Sequence, residues 1–391
     1  MYRLLALTLL LFSMTSVVPA ADDRTRVSAA LQRAGKNRPQ IERALKECAE
    51  DQREGMQFLV AYMPQRDLQT LSAKFLLDNV ELSYQTWRES VWGRHVSRDI
   101  FFNYVLPYCS INERRDNWRK DFHTRFHKRV QAAQTASQAT AILNRTIFGD
   151  FNVRFSTKRP KADQSPYETI SAGMASCTGL SVLLIDACRA VGIPARFVGT
   201  PRWSDNSGNH SWVEIWDRGW HFTGAAEPAG EHLDRAWFTG RAATAKRDQP
   251  LHAIYAVSYK QTPLSFPLVW DTAIDYVYAV NVSDRYTQQS KQLPAGIVRV
   301  AFRLVDEKTS QRLAADFTLR DVSGKPLFKG TTKDERFDPN DHLTFPLKQG
   351  ESYDVELNWS GHRLSKRILA TKEGVVHTLH RRDLQPIPKT P

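Results

Sequence analysis

The stretch Ala175-Ser176-Cys177-Thr178-Gly179-Leu180 leads into an apolar run that predicts the central helix of the fold. The apolar residues after it recur at the spacing of one helix face, at Leu180, Leu183, Leu184, Ala187, Cys188 and Val191. Gly192 and Pro194 should end the helix, and residues 195–198 then read as a strand. Cys177 therefore caps a buried helix, where the partial positive charge of unpaired amides favours a thiolate. The pattern predicts a nucleophile.

Residues 210–216 predict a strand that could carry the partner of this cysteine. Polar or aromatic residues alternate there with smaller ones, so that His210 and Glu214 share a face. A turn at residues 217–219 and a returning strand at residues 220–223 complete a hairpin. A cysteine at a helix start and a histidine on an adjoining sheet form the thiolate and imidazole arrangement of papain-like catalysis. We predict that Cys177 is the nucleophile and His210 the base.

Three blocks of the chain resemble the transglutaminase-like superfamily. They are Cys177-Thr178-Gly179 with the helix that follows, Gly192 to Val198, and Asn209 to Trp216 with Trp220. The blocks stand in the order of the family, within residues 167–238. The resemblance implies a papain-like fold and an acyl-enzyme at Cys177, with His210 as base. The acidic calcium-binding loops of animal members have no clear match in this sequence.

The acid of the family's catalytic site is the main departure from the resemblance. The family places an aspartate four residues after the tryptophan of the second strand, directly before a proline, and Gly224 occupies that position here. Glu227-Pro228 either replaces the Asp-Pro pair after a short insertion or is a solvated loop segment. The family often takes a second oxyanion donor from an upstream tryptophan, but no tryptophan lies between Trp118 and Trp203, so that role is not assigned.

The flanking segments predict the domain organisation. Residues 1–20 read as a signal peptide, with Arg3 before a short apolar run and a small-residue cleavage pattern at Val18-Pro19-Ala20. Residues 22–150 read as a helical region, residues 151–250 as the transglutaminase-like catalytic domain, and residues 251–294 as connecting strands. Alternating apolar residues in 295–383 predict a β-sandwich of immunoglobulin-like or transthyretin-like type. The expected fold class is α+β, with a helical N-terminal lobe, a papain-like core of a helix packed on an antiparallel sheet, and a C-terminal β-sandwich.

Composition and charge constrain the location and the partners. The 391-residue chain carries a net charge of +12, spread along its length, and a solvated basic face is the common explanation of such a charge. No nucleic-acid-binding motif accompanies it, and no segment is apolar for long enough to span a membrane. We expect a secreted or periplasmic protein that acts on a peptide or protein substrate, including those of the cell envelope, and does not bind nucleic acid.

Several side chains receive more specific expectations. Trp203 and Trp237 are predicted to line a substrate groove. Cys48 and Cys109 either form a disulfide or are two unrelated core cysteines. We predict no cofactor and no metal, since the histidines flanking the site, His221 and His232, have no cysteine or carboxylate at ligand spacing. The polar residues of the Cys177 helix, Asp186 and Arg189, are expected on its solvated side.

The function that these patterns favour is a secreted cysteine peptidase or amidase. It would form an acyl-enzyme at Cys177 from a peptide bond or a side-chain amide and transfer the acyl group to water. Two alternatives remain open. One is a transglutaminase-fold binding protein with weak or no activity, which the glycine at position 224 suggests. The other is an acyltransferase that cross-links proteins.

Overall fold

The computed structural model describes residues 23–289, 293–372 and 374–387. The predicted signal peptide, residues 1–20, lies outside these ranges. The described chain is α+β, as expected, with helices followed by a mixed helical and antiparallel region and then by strands. In the described ranges no helix is both long and apolar enough to cross a membrane.

The N-terminal part is helical, in agreement with the sequence pattern. Its helices are α1 (Asp23–Arg33), α2 (Arg38–Glu47), α3 (Arg53–Tyr62), α4 (Gln65–Leu68), α5 (Ala73–Glu89), α6 (Arg98–Tyr104), α7 (Arg119–Val130) and α8 (Ala136–Asp150). Serine or threonine side chains cap α5, α6 and α8 by accepting a hydrogen bond from a backbone N–H in the first turn. Helices α1–α6 surround a core of their own, whereas α7 and α8 pack against the helix that begins at Cys177.

The region that was predicted to be the catalytic domain, here called the catalytic region, is a sheet with one central helix packed against it. Its elements are β1 (Arg154–Phe155), α9 (Pro166–Ala172), β2 (Met174–Ala175), α10 (Cys177–Ala190), β3 (Ala195–Thr200), β4 (His210–Trp216), β5 (Trp220–Thr223), α11 (Thr239–Ala242), β6 (Tyr255–Val257), β7 (Leu264–Ser265), β8 (Tyr278–Asn281) and α12 (Ser283–Gln289). The strand order is β5-β4-β3-β6-β8-β7, and all neighbours are antiparallel. Residues 251–294, which we predicted to connect two domains, thus contribute three strands to the sheet that carries His210.

Helix α10 is enclosed on all sides, and this corrects one expectation. Asp186 and Arg189 were expected in solvent, but they are 0% and 2% exposed. The reason is that β3 and β4 cover one side of α10 while α5, α7 and α8 cover the other. The Arg189 guanidinium donates hydrogen bonds to four backbone carbonyls, those of Tyr104, Pro107, Cys109 and Ala195. Burial raises the pKa of Asp186 well above its ordinary value, which favours the neutral carboxyl group over the carboxylate.

The C-terminal part is the predicted β-sandwich. Its strands are β9 (Ile297–Asp306), β10 (Gln311–Leu313), β11 (Asp316–Arg320), β12 (Pro326–Thr331), β13 (Leu343–Lys348), β14 (Ser352–Trp359), β15 (His362–Leu369), β16 (Val375–His380) and β17 (Gln385–Pro386). One sheet forms around β9, which pairs with β10, β13 and, in parallel, β16. The other has the order β12-β11-β14-β15-β17. Phe302 of the first sheet and Phe317 of the second meet in the core, with ring centroids 4.8 Å apart.

The connection between β12 and β13, here called the 332–342 loop, is held in shape by Arg312. This buried guanidinium donates four hydrogen bonds to backbone carbonyls of the loop, those of Asp334, Phe337, Asp338 and Asp341, at 2.6–3.1 Å. Charge-assisted hydrogen bonds of this kind are stronger than neutral ones. The loop therefore has a defined conformation, although it lacks regular secondary structure.

The four cysteines are all free thiols. Cys48 and Cys109, for which a disulfide and two separate core positions were both open, are buried and unpaired. Cys188 is buried on the apolar face of α10, as its spacing predicts. Cys177 is the one cysteine that retains partial exposure.

Candidate active site

Cys177 is the first residue of α10, where the sequence pattern placed it. The preceding residue, Ser176, has an extended backbone (φ −86°, ψ −179°), and helical geometry begins at Cys177 itself. The backbone N–H groups of the first helical turn have no partner within the helix, so Cys177 lies at the positive end of the helix dipole.

His210 is the first residue of β4, and it lies next to Cys177. The Cys177 Sγ atom, a ring nitrogen of His210 and a carboxylate oxygen of Asp338 all lie within 4.8 Å of one another. The structure therefore brings together the two residues that sequence reasoning paired. It also adds a third, from the β-sandwich, that sequence reasoning missed.

Asp338 approaches the imidazole from the 332–342 loop. Its Oδ2 atom lies 3.4 Å from His210 Nδ1, which is an ion-pair contact at the long end of hydrogen-bonding distance. Among the described residues, neither ring nitrogen of His210 makes a hydrogen bond of full geometry. Burial alone would lower the pKa of His210, but the Asp338 carboxylate and the Cys177 sulfur outweigh burial and raise it well above its ordinary value. Burial alone would raise the pKa of Asp338, but the neighbouring His210 outweighs burial, and the pKa of Asp338 is lower than its ordinary value.

The other Asp338 oxygen is fixed by its own loop. Oδ1 accepts a hydrogen bond from the backbone N–H of Asn340 at 2.9 Å, and the Asp338 side chain is only 4% exposed. The one sequence signal for this residue is the pair Asp338-Pro339. It repeats the acid–proline order of Glu227-Pro228, but it stands in a different domain.

The Glu227 side chain fills the space beside Gly224, the position at which the resemblance places the family's acid. A side chain built on Gly224 would collide with the Glu227 carboxylate, since its Cβ would overlap sterically with Glu227 Oε2 and lie 3.0 Å from Glu227 Cβ. Asn144 on α8 secures this turn, because its amide donates to the Gly224 carbonyl at 2.8 Å and accepts from the Ala226 N–H at 2.9 Å. A glycine at 224 is thus the steric partner of an acid at 227.

The Glu227 carboxylate is half-buried and points to Trp237 rather than directly to His210. Its Oε2 atom accepts a hydrogen bond from Trp237 Nε1 at 2.9 Å. Burial raises the pKa of Glu227 to about 7, against the opposing influence of His210 and of the Trp237 hydrogen bond. No hydrogen bond joins it to His210 within the described chain. Glu227 therefore sits at the site without direct contact to the imidazole.

Trp203 and Trp237 both stand beside His210. Their ring centroids are 6.0 Å and 4.8 Å from the imidazole, and Trp203 also lies parallel to the buried Trp212 at 6.2 Å. Both tryptophans line a cavity of about 660 Å³ between the catalytic region and the sandwich, to which Arg241 and Lys333 contribute cationic groups. The indole Nε1 of Trp203 is buried and has no hydrogen-bond partner among the described residues.

The remaining polar residues of the hairpin have structural partners. Glu214, on the same strand as His210, is 0% exposed and forms ion pairs with Arg196 and Arg285, both at 2.6 Å. His221 Nδ1 lies 2.7 Å from the Asp234 carboxylate. His232 is exposed. Neither of these histidines belongs to the cluster around Cys177.

Comparisons with known proteins agree with the geometry over part of the chain. Residues 124–224 match the model of the transglutaminase-like superfamily. No curated protein matches the sequence. Among solved structures, a candidate cysteine protease from Cytophaga hutchinsonii shares 20% identity over 28% of this chain and 38% of that chain, with a TM-score of 0.25. The TIE protein of Bacillus anthracis shares 15% identity over 48% of this chain and 30% of that chain, with a TM-score of 0.18. The overlap covers less than half of either structure, and TM-scores below 0.5 carry no argument about activity.

Proposed function

We propose that this protein is a cysteine enzyme that cleaves an amide through an acyl-enzyme at Cys177, because residues 124–224 match the model of the transglutaminase-like superfamily. The observation that supports the proposal most directly is the approach of Cys177 Sγ and a His210 ring nitrogen to within 4.8 Å. One group is on a helix terminus and the other on a strand, so both have rigid supports.

The reaction would proceed in two halves. The Cys177 thiolate adds to the amide carbonyl, and the backbone N–H of Cys177 stabilises the oxyanion. The His210 imidazolium then donates its proton to the leaving amine, and the C–N bond breaks to give a thioester. In the second half, neutral His210 removes a proton from water, which attacks the thioester and releases the carboxylic acid and the free thiol.

Glu227 would favour the charged imidazole through the electrostatic field rather than through contact. The Glu227 side chain lies beside Gly224, the position that the resemblance assigns to the acid. Although burial raises the pKa of Glu227 overall, the charge of His210 opposes this rise, so the carboxylate and the imidazolium stabilise each other. The hydrogen bond from Trp237 keeps the carboxylate in place. Loss of this acid should slow turnover without abolishing it.

The substrate in this proposal is a peptide or a side-chain amide, and the acceptor is water. The cavity between Trp203 and Trp237 offers apolar walls for the residue next to the scissile bond. We propose a secreted or periplasmic location, with cell-envelope peptides or proteins as the first substrates to examine. A protein that retains the fold but lacks turnover, and an acyltransferase with an amine acceptor, are the outcomes that the following tests distinguish.

Alkylation of the native protein tests the nucleophile without a known substrate. Burial raises the pKa of the thiols of Cys48, Cys109 and Cys188, so iodoacetamide should modify Cys177 selectively. The reaction is run in EDTA at pH 7, where the wild type should be labelled at Cys177. His210→Gln should slow labelling at pH 7 by at least about 10-fold, and Cys177→Ala should abolish it. An inert Cys177 in the folded protein would refute the enzyme and favour a binding protein.

A substrate screen then separates the reaction types. Envelope proteins and cell-wall peptides are incubated with the wild type or with Cys177→Ala, and new termini are compared by mass spectrometry. Hydrolysis predicts new carboxylates that depend on Cys177. Isopeptide cross-links that depend on Cys177 would show that the acceptor is an amine rather than water.

A further inference from the structure

We propose that Cys177, His210 and Asp338 together form a binding site for a divalent transition-metal ion of the zinc type, shared between the catalytic region and the β-sandwich. This inference is independent of turnover, because metal binding requires only the three side chains. No metal was expected from the sequence, because the histidines that flank the site, His221 and His232, have no cysteine or carboxylate at ligand spacing. The third ligand, Asp338, comes from the β-sandwich and could not be placed near His210 from the sequence.

The arrangement of the three atoms differs from that of a catalytic relay. In a linear cysteine–histidine–acid relay, the sulfur and the carboxylate bond to opposite nitrogens of the imidazole. Two hydrogen bonds of about 3 Å plus the width of the ring then place sulfur and oxygen about 7 Å or more apart. Here Cys177 Sγ and an Asp338 oxygen lie within 4.8 Å of each other and of the same nitrogen. The three donors converge on one point, as metal ligands do.

The distances also suit a tetrahedral ion. Bonds of about 2.3 Å to sulfur and about 2.0–2.2 Å to nitrogen and oxygen separate the ligand atoms of a zinc site by about 3.4–3.6 Å. The measured separation of His210 Nδ1 and Asp338 Oδ2 is 3.4 Å, which meets that requirement without movement. The contacts of Cys177 Sγ, at up to 4.8 Å, would shorten by about 1 Å, which a change of its side-chain rotamer can supply.

A second observation points to a ligand independently of these distances. His210 is 1% exposed, yet both of its ring nitrogens lack a hydrogen bond among the described residues. Buried polar groups are normally satisfied, so two orphaned nitrogens on one buried side chain need a partner. A metal ion bound to one of them supplies that partner.

Asp338 is prepared for coordination by its surroundings. Its Oδ1 atom is held by the Asn340 N–H, which leaves Oδ2 directed at His210. The Arg312 guanidinium binds the carbonyl of Asp338 and three other carbonyls of the 332–342 loop. Hydrogen bonds behind a ligand fix its orientation and raise metal affinity.

Binding would have two consequences. The ion exchanges three of its water ligands for sulfur, nitrogen and oxygen, and the proton held by the Cys177–His210 pair is released to the solvent, so that a thiolate and a neutral imidazole bind the ion. The thiolate is then masked, so a bound ion blocks alkylation and, if the proposed function holds, acyl transfer. Because Asp338 belongs to the sandwich, the same ion also joins the two domains.

Titration of the metal-free protein with Zn²⁺ tests the site. Isothermal calorimetry should give one ion per chain for the wild type, and Asp338→Asn should weaken affinity by at least about 10-fold. The matched control is Asp341→Asn, which changes a buried carboxylate of the same loop outside the three-atom cluster and should alter affinity by less than about threefold. Circular dichroism of each apo variant establishes that the fold is retained. With Co²⁺ as probe, the wild type should show a thiolate-to-metal charge-transfer band that Cys177→Ala lacks.

The outcomes separate this inference from the proposed function. Equal Zn²⁺ affinity in the wild type and Asp338→Asn would reduce the site to a thiol and an imidazole and overturn the shared site. An absence of Zn²⁺ binding to the folded wild type would overturn it as well. If Cys177 is inert to iodoacetamide in EDTA while the Zn²⁺ affinity depends on Asp338, the result would support the metal site and refute the proposed enzyme activity.

Discussion

Replacing Glu227 by glutamine should change how the stability of the catalytic region depends on pH. Burial raises the pKa of this carboxyl group from 4.5 to about 7. Between these values the folded state holds the proton more tightly than the unfolded chain does, so the free energy of unfolding falls as the pH rises through this window. A glutamine cannot ionise, and its side-chain oxygen can still accept the hydrogen bond from Trp237 Nε1.

The size of the effect follows from the two pKa values. Each tenfold change in a protonation equilibrium corresponds to about 1.4 kcal/mol, so the difference between 4.5 and about 7 amounts to at most about 3.5 kcal/mol. We expect the wild type to lose up to that amount between about pH 4.5 and pH 7. Glu227→Gln should lack this loss, so its stability relative to the wild type should rise with pH over the window.

Urea unfolding followed by tryptophan fluorescence measures this difference, because most of the tryptophans lie in the catalytic region and its helical neighbours. The wild type and Glu227→Gln are compared at intervals from pH 4 to pH 8. Glu231→Gln is the matched control, since Glu231 is an exposed glutamate four residues away. Parallel stability curves for the wild type and Glu227→Gln would refute the buried, proton-binding carboxyl group.

Two further substitutions test the geometry around the site. Gly224→Ala should destabilise the catalytic region by about 1–3 kcal/mol in thermal unfolding, because the added Cβ would collide with the Glu227 carboxylate. Gly149→Ala is the control and should not destabilise the region, because no atom lies within 4 Å of the added Cβ. Arg312→Met should raise the rate of amide hydrogen exchange in the 332–342 loop by roughly 10-fold or more, because charge-assisted hydrogen bonds worth about 1.5 kcal/mol or more are lost. An unchanged exchange rate would contradict the role of Arg312 in holding the loop.

Cys177 and His210 could be predicted from sequence because local patterns determine their positions. The apolar spacing after Cys177 defines a helix face, and the alternation from His210 onward defines a strand. Antiparallel pairing of β3 with β4 then sets the register, with Thr200 opposite His210. Once α10 packs on these strands, the helix start and the strand start lie at the same end of the layer, so two local predictions place both side chains.

Asp338 could not be predicted in the same way because its position depends on contacts remote in sequence. No periodicity marks the 332–342 loop, and its conformation rests on one guanidinium from β10. The placement of the loop over His210 depends on how the sandwich packs against the catalytic region. The acid–proline order of Asp338-Pro339 is the same signal that drew attention to Glu227, but sequence reasoning applied it only within the family's block.

The error on Asp186 and Arg189 has a related cause. Charged residues on one side of a helix normally face solvent, and nothing within α10 shows that a second helical layer will cover that side. The covering helices come from residues up to 150, outside the blocks within residues 167–238 on which the resemblance rests. The buried Arg189 guanidinium donates hydrogen bonds to backbone carbonyls, and burial raises the pKa of Asp186, which favours its neutral form.

The position of Asp338 makes the electrostatics of the site a property of two domains. At an effective dielectric constant of about 20, a carboxylate 3.4 Å from an imidazolium gains about 5 kcal/mol, while its repulsion of a thiolate within 4.8 Å costs at least about 3.5 kcal/mol. When Cys177 is a thiolate and His210 an imidazolium, the repulsion from Asp338 offsets most of its attraction. When only His210 is charged, the attraction alone remains. A carboxylate at this place therefore stabilises a charged His210 more than it helps to form the nucleophile. A divalent cation between the two anionic groups would be attracted by both and would offset their mutual repulsion, which is the electrostatic argument for the proposed metal site.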